Sequence, residues 1–211
     1  MNNNIQTGKR MFFLTIEELQ VLMAIKNMTT IPGYDEIAKY EPPKDVQDVV
    51  IALLEKDLIA VSDMTHDEIE NNTMSDAEEN NNNDYKNVII EEKLDAWLYI
   101  ISEATSCSIL TTENKKLIFY FWKDIIVALE IKGNTCMIIW IPFIHLALGQ
   151  MIEFIETVGN AECVFEDVNG VDGKTELKFN FKQVDNTLLN QITQVLVKRH
   201  GMEIRRGIEN E

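Results

Sequence analysis

Between Cys107 and Ile141 the chain carries its longest succession of short apolar runs, and each run stops at a polar pair. Lys116 to Trp122, Ile125 to Lys132 and Thr135 to Ile141 are dense in Ile, Val, Phe, Tyr and Trp, residues that fit a pleated, packed surface. With Cys107 and the residues after it, they predict four consecutive antiparallel strands. Gly133-Asn134 is the clearest turn, because glycine takes positive φ without a steric penalty; Lys123-Asp124 is predicted to do the same job. Pro142 closes the last strand, since it has no amide hydrogen to donate to a ladder.

Two-residue loops fix the register, and the register fixes the faces. One predicted face carries Ile118, Tyr120, Trp122, Ile125, Val127, Leu129, Ile131, Cys136, Ile138 and Trp140, apolar throughout and expected to be core. The other carries Leu117, Phe119, Phe121, Ile126, Ala128, Met137, Ile139 and Ile141, and turns polar at Glu130, Lys132 and Thr135. A sheet with two apolar faces needs covering elements on both sides, or a partner. The incompletely apolar face is therefore the predicted docking surface, with Phe119, Phe121, Glu130, Lys132, Thr135, Met137 and Ile139 as its candidate contact residues. Aromatic and Met side chains are the usual anchors of such a surface.

The flanking segments follow the helical period. Thr15 reads as an N-cap with Glu18 as its capping-box partner, opening a helix to about Met28. Pro32-Gly33 turns the chain, a short helix is predicted over 35–39, and Pro42-Pro43 opens a third, with Val46, Val49, Val50, Leu53 and Leu54 on one face. Leu58 to Val61 reads as a strand. Residues 88 to 104 are predicted to be a helix leading into the sheet. Beyond the sheet come a helix containing Ile144 to Ile155, a hairpin of residues 162–167 and 176–182, and a closing helix containing Leu188 to Leu196. The predicted fold is α+β: one central antiparallel sheet of four to six strands packed with helices. Its expected parts are a winged-helix-like N-terminal module (residues 1–62), an acidic, Asn-rich linker (63–87) and a sheet domain (88–211).

Charge narrows the partners. The 211 residues carry a net charge of −16, and ten of the 35 acidic residues fall between Asp63 and Glu92, which predicts a solvated tether there. Nucleic acids and anionic lipids are held through Lys and Arg, so neither is expected as a partner. A winged-helix transcriptional regulator is the alternative function, but its third helix would offer phosphates Asp45, Asp48, Glu55 and Asp57 beside Lys44 and Lys56. No run of 18 apolar residues and no secretory leader is read in the chain, so a cytoplasmic protein without membrane insertion is expected. Its three cysteines lack CxxC spacing and are expected to be free thiols.

Catalytic signatures are missing: there is no GxSxG, Walker loop, GxGxxG or HExxH, and His66, His145 and His200 are scattered. The turn Asp167-Val-Asn169-Gly-Val-Asp172-Gly173 has the flavour of a calcium loop but puts Val171 at the fifth position and no bidentate Glu at the twelfth, so a plain hairpin turn is expected. No catalytic residue, metal or cofactor is predicted, and the chain is expected not to be an enzyme.

An N-terminal helical module opening with FFLTIEEL and containing IPGY, a tether, a helix, a four-strand meander, a helix, a hairpin and a closing helix follow one another. This order resembles the EsaE-like chaperones of type VII secretion in Gram-positive bacteria, themselves distantly similar to the EspG chaperones. The resemblance implies a non-enzymatic chaperone that binds a secreted protein substrate and presents it to the secretion machine, with the secretion ATPase as a second contact; a homodimer is compatible with it. Trp97, Trp122 and Trp140 are not followed by the x-Gly of a WxG cargo motif, so the chain is read as chaperone and not as cargo.

Overall fold

The structure is a computed structural model, and it describes residues 11–62, 87–104, 106–122, 125–158, 160–167 and 175–180 together with positions 187, 190–192 and 194. The expected tether, the 123–124 turn, the loop around 167–173 as a whole and most of the closing helix lie outside the described residues.

The fold is α+β. Its centre is a seven-stranded antiparallel sheet, larger than the four to six strands expected. In chain order its strands are β1 (Met11–Thr15), β4 (Ser106–Thr111), β5 (Lys115–Trp122), β6 (Ile125–Lys132), β7 (Thr135–Ile141), β8 (Asn160–Asp167) and β9 (Thr175–Asn180), arranged β1-β7-β6-β5-β4-β8-β9. The four-strand meander is where the apolar runs put it, and the register is the one the two-residue loops dictate: Trp122 faces Ile125, and Lys132 faces Thr135 across Gly133, whose φ is +56°. The added strands extend it at both ends, with β1 at one free edge.

Four α-helices are bounded among the described residues: α1 (Ile16–Ile25), α2 (Val46–Glu55), α3 (Glu92–Glu103) and α4 (Ile144–Val158), with a 3-10 helix at Asp35–Lys39. The capping box at the start of α1 is formed as the sequence predicts. Thr15 accepts from the Glu18 amide at 3.1 Å, and the Thr15 amide donates to Glu18 Oε2 at 2.8 Å. Both α1 and α2 end in a Schellman turn, with Asn27 (φ 54°) and Asp57 (φ 55°) in the left-handed position that short polar side chains tolerate. Residues 88–90, expected to open a helix, instead form β3 (Val88–Ile90) and pair with β2 (Ile59–Val61). Helix α3 starts only at Glu92, because Glu91 turns its carboxylate onto the Leu94 amide at 2.8 Å.

Each sheet face has its own core. Ile118, Tyr120, Val127, Leu129, Ile131, Cys136 and Ile138 join Leu19, Leu22, Leu53, Leu94 and Leu98 in one buried cluster, so the N-terminal helices and α3 share one interior with the sheet. The Ile31-Pro-Gly-Tyr34 segment is the wedge between them. Tyr120 donates from its hydroxyl to the Pro32 carbonyl at 2.9 Å, and Gly33, at φ +75°, lies so close to Ile109 that a Cβ there would stand 2.8 Å from its Cδ1. Leu117, Phe119, Phe121, Ile126, Ala128, Ile139 and Ile141 form the second cluster, under Ala147, Met151, Phe154 and Ile155 of α4 and under Ile192. Both faces follow the predicted alternation. Trp140 is the exception: expected as core, it is 38% exposed, because it sits one residue past the end of β1's pairing with β7.

Candidate docking groove at the free edge of the sheet

Register places side chains in rows across the α4 side of the sheet. Met11, Ile139, Ala128 and Phe119 form one row, with Ile141, Ile126 and Phe121 beyond it. Towards the Gly133 hairpin the next row is Phe13, Met137, Glu130 and Leu117, and the last is Thr15, Thr135, Lys132 and Lys115. The core under helix α4 takes in Ile126, Ala128, Phe119, Phe121, Ile139, Ile141 and, towards the hairpin, Leu117, with Met137 packed at its margin, and leaves Met11 and Phe13 of β1 exposed. Phe119 and Phe121 are fully covered and Ile139 nearly so, which removes these three from the expected docking surface: α4 and Ile192 occupy the face they would have offered.

What stays open is a groove of about 330 Å³ lined by Phe13, Leu14, Thr15, Lys56, Glu130, Lys132, Thr135, Cys136 and Met137. Four of the expected contact residues are therefore brought together there: Glu130, Lys132, Thr135 and Met137. Met137 is half-buried, while Lys132 and Thr135 are exposed. Glu130 is held by Lys115 at 2.9 Å, and Thr135 donates to the Lys132 carbonyl at 3.0 Å across the hairpin. The residue that sequence reasoning missed is Phe13. It lies opposite Met137 and is 65% exposed, the largest exposure among the exposed large apolar side chains. FFLTIEEL was read as the lead into a helix, and no alternation betrayed a strand because Met11, Phe12, Phe13 and Leu14 are all apolar.

The groove floor is chemically quiet. Burial, with the Glu18 carboxylate nearby, pushes the Cys136 thiol up to about 12, so it stays protonated and unreactive at neutral pH. In its wall Lys56 reaches the buried Glu18, donating to both carboxylate oxygens at 2.6 and 2.7 Å, and thereby ties the end of α2 to α1. Among the described residues no group of three His, Cys, Asp or Glu side chains is placed to hold a metal ion. No helix of the described residues is long and apolar enough to cross a membrane. On and beside α2, the positions a regulator would turn to DNA (Lys44, Asp45, Gln47, Asp48, Glu55, Lys56 and Asp57) are exposed, with four acids against two lysines.

Among the described residues the fold is thus an α+β sheet with a half-apolar groove beside its outermost strand, β1. No protein-family model matches the chain, and no curated protein matches it. Among solved structures it is similar to the type VII secretion chaperone EspG5 of Mycobacterium tuberculosis, determined in complex with a PE25-PPE41 dimer, at 8% identity and a TM-score of 0.47. That similarity covers 70% of this chain and 52% of the other, so the chain spans about half the length of that chaperone.

Proposed function

We propose that this protein is a non-enzymatic binding protein of the cytoplasm that holds a secreted protein partner, as an EsaE-like substrate chaperone or adaptor of a type VII secretion system. The observation that carries the reading is the groove at the hairpin end of β1 and β7, with an aromatic and a thioether wall, Phe13 and Met137, and a cation at its rim, Lys132. Such a mixture of apolar anchor and polar rim is what a protein partner covers. The order of elements around FFLTIEEL and IPGY supports the choice of a secretion chaperone among binding proteins. The secretion ATPase is the proposed second contact, engaged while the substrate is held.

The test is titration of the purified chain with purified secreted substrates of type VII secretion systems. Met137→Asp and Lys132→Glu are each expected to weaken binding about tenfold or more, about 1.4 kcal/mol, with thermal unfolding nearly unchanged because both positions reach solvent. Normal binding by folded variants, or an unfolded Met137→Asp protein, would remove the groove from the proposal.

A further inference from the structure

The outer edge of β1, which pairs with no further strand among the described residues, has a hydrogen-bonding pattern that can be written out residue by residue. The Ile16 amide donates to the Asn134 carbonyl at 3.1 Å, and the register pairs Thr15 with Thr135. In an antiparallel ladder hydrogen-bonded and non-hydrogen-bonded pairs alternate, so Leu14 and Phe12 direct their backbone groups at β7, while Met11, Phe13 and Thr15 direct theirs away from the sheet. The Thr15 amide is already spent on Glu18 Oε2 at 2.8 Å. Two residues therefore offer a complete donor and acceptor pair to the outside, Met11 and Phe13, and these two also expose their side chains, at 43% and 65%.

We propose that a second copy of this chain occupies this edge, antiparallel, about a two-fold axis at Phe12. In that register Met11 of one copy faces Phe13 of the other, and Phe13 faces Met11. All the outward amides and carbonyls of both residues in both copies are then used, in four hydrogen bonds, and an isologous contact results. The neighbouring register, centred on Phe13, is poorer because it sets Met11 against a Thr15 whose amide is committed to the capping box. Side chains agree with the backbone: on the α4 side each Met11 lies across from an aromatic ring, a pair that sulfur and π-face favour. Phe12, on the opposite side, keeps its edge-on contact with Trp97 at 4.9 Å and needs no rearrangement.

An edge only five residues long buries less than the roughly 1,200 Å² of a stable interface, so the dimer is expected to be reversible, with a dissociation constant on the order of micromolar. Sedimentation velocity on the purified chain, without substrate, should show monomer giving way to dimer as concentration rises, and a monomer up to millimolar concentration would overturn the proposal. Two variants locate the contact. Phe13→Pro removes an outward amide and leaves the β1 to β7 ladder intact, so a folded protein with at least about tenfold weaker association is expected. A folded Phe13→Pro dimer of unchanged affinity would overturn the assignment. Should that variant not fold, mixing Met11→Cys with Phe13→Cys decides, because hydrogen-bonded pairs lie about 5.5 Å apart at Cα, within disulfide reach. A disulfide-linked dimer formed preferentially in the mixture is expected. Equal linking in either variant alone, or none, refutes the register. These readouts need no substrate, so they fail or succeed independently of the chaperone reading.

Discussion

Glu18 shows how much one side chain can organise here. It closes the capping box of α1, receives Lys56 from the end of α2, and is almost wholly buried while its partner is 44% exposed. The short distances do not measure the strength of the pair, because a half-exposed lysine is screened by water. The asymmetry matters when the pair is broken: without Lys56 the carboxylate stays in place with one backbone amide for company. Lys56→Met is expected to cost about 1–3 kcal/mol in urea unfolding, and Glu18→Gln less, since the amide oxygen still accepts from Thr15. An unchanged midpoint for Lys56→Met would mean that water reaches Glu18 in its place. Thr15 and Glu18 were legible as a cap from three-residue spacing alone; Lys56, 38 residues further along the chain, was not.

At the scale of the element, the same strand pattern leads to opposite fates. Phe13 and Phe119 lie three strands and one row apart on one face, yet Phe119 is inaccessible and Phe13 is the most exposed large apolar residue described. Helix α4 covers one and not the other. Phe119→Ala is therefore expected to destabilise by about 3–5 kcal/mol, the cost of emptying a filled core site, whereas Phe13→Ala should shift thermal unfolding little. Comparable losses from the two would show that the edge of β1 is covered in solution under the conditions used, and repeating the measurement at low protein concentration separates a covering second copy from a covering segment of the same chain. Helix α2 repeats the lesson. Its predicted apolar stripe is buried only at Val49 and Leu53, and Val46 and Leu54 stay exposed, since the period gives the face but not the width of what packs on it.

For the whole molecule, the titrating groups bound a stability plateau. Burial raises the Glu36 carboxyl, but the Lys116 ammonium 2.7 Å away and a backbone amide outweigh it and hold the group below its ordinary value of 4.5. A depressed carboxylate stabilises the fold above about 4.5 and loses that contribution as pH falls through the folded value. Cys136, raised by burial to about 12 from 9.0, and Tyr120, raised by burial above 10.0, have the opposite sign. Their contribution is complete below 9.0 and is lost as pH climbs towards 12. The melting temperature is thus expected to be level between roughly pH 5 and 9 and to fall on both sides. Glu36→Gln should soften the acid limb and Cys136→Val the alkaline one; limbs unmoved by either variant would assign the titration to other groups.

The local grammar was legible in the chain: the meander and its Gly133-Asn134 turn, the two apolar faces, the cap at Thr15, a short helix at 35–39 and the α+β class. Each follows from interactions within a few residues or from a period of two or 3.6, which a chain displays without being folded. It took tertiary structure to make Met11–Thr15 an edge strand paired with β7, to pair Val88–Ile90 with Ile59–Val61, and to leave Met11 and Phe13 outside the cover that reaches Met137. Those outcomes depend on which distant segment reaches a surface first and how far it extends. Hydrophobic burial is non-directional, so the residues to be covered do not name their cover, and the groove at Phe13 exists because the cover reaches Met137 and leaves β1 exposed.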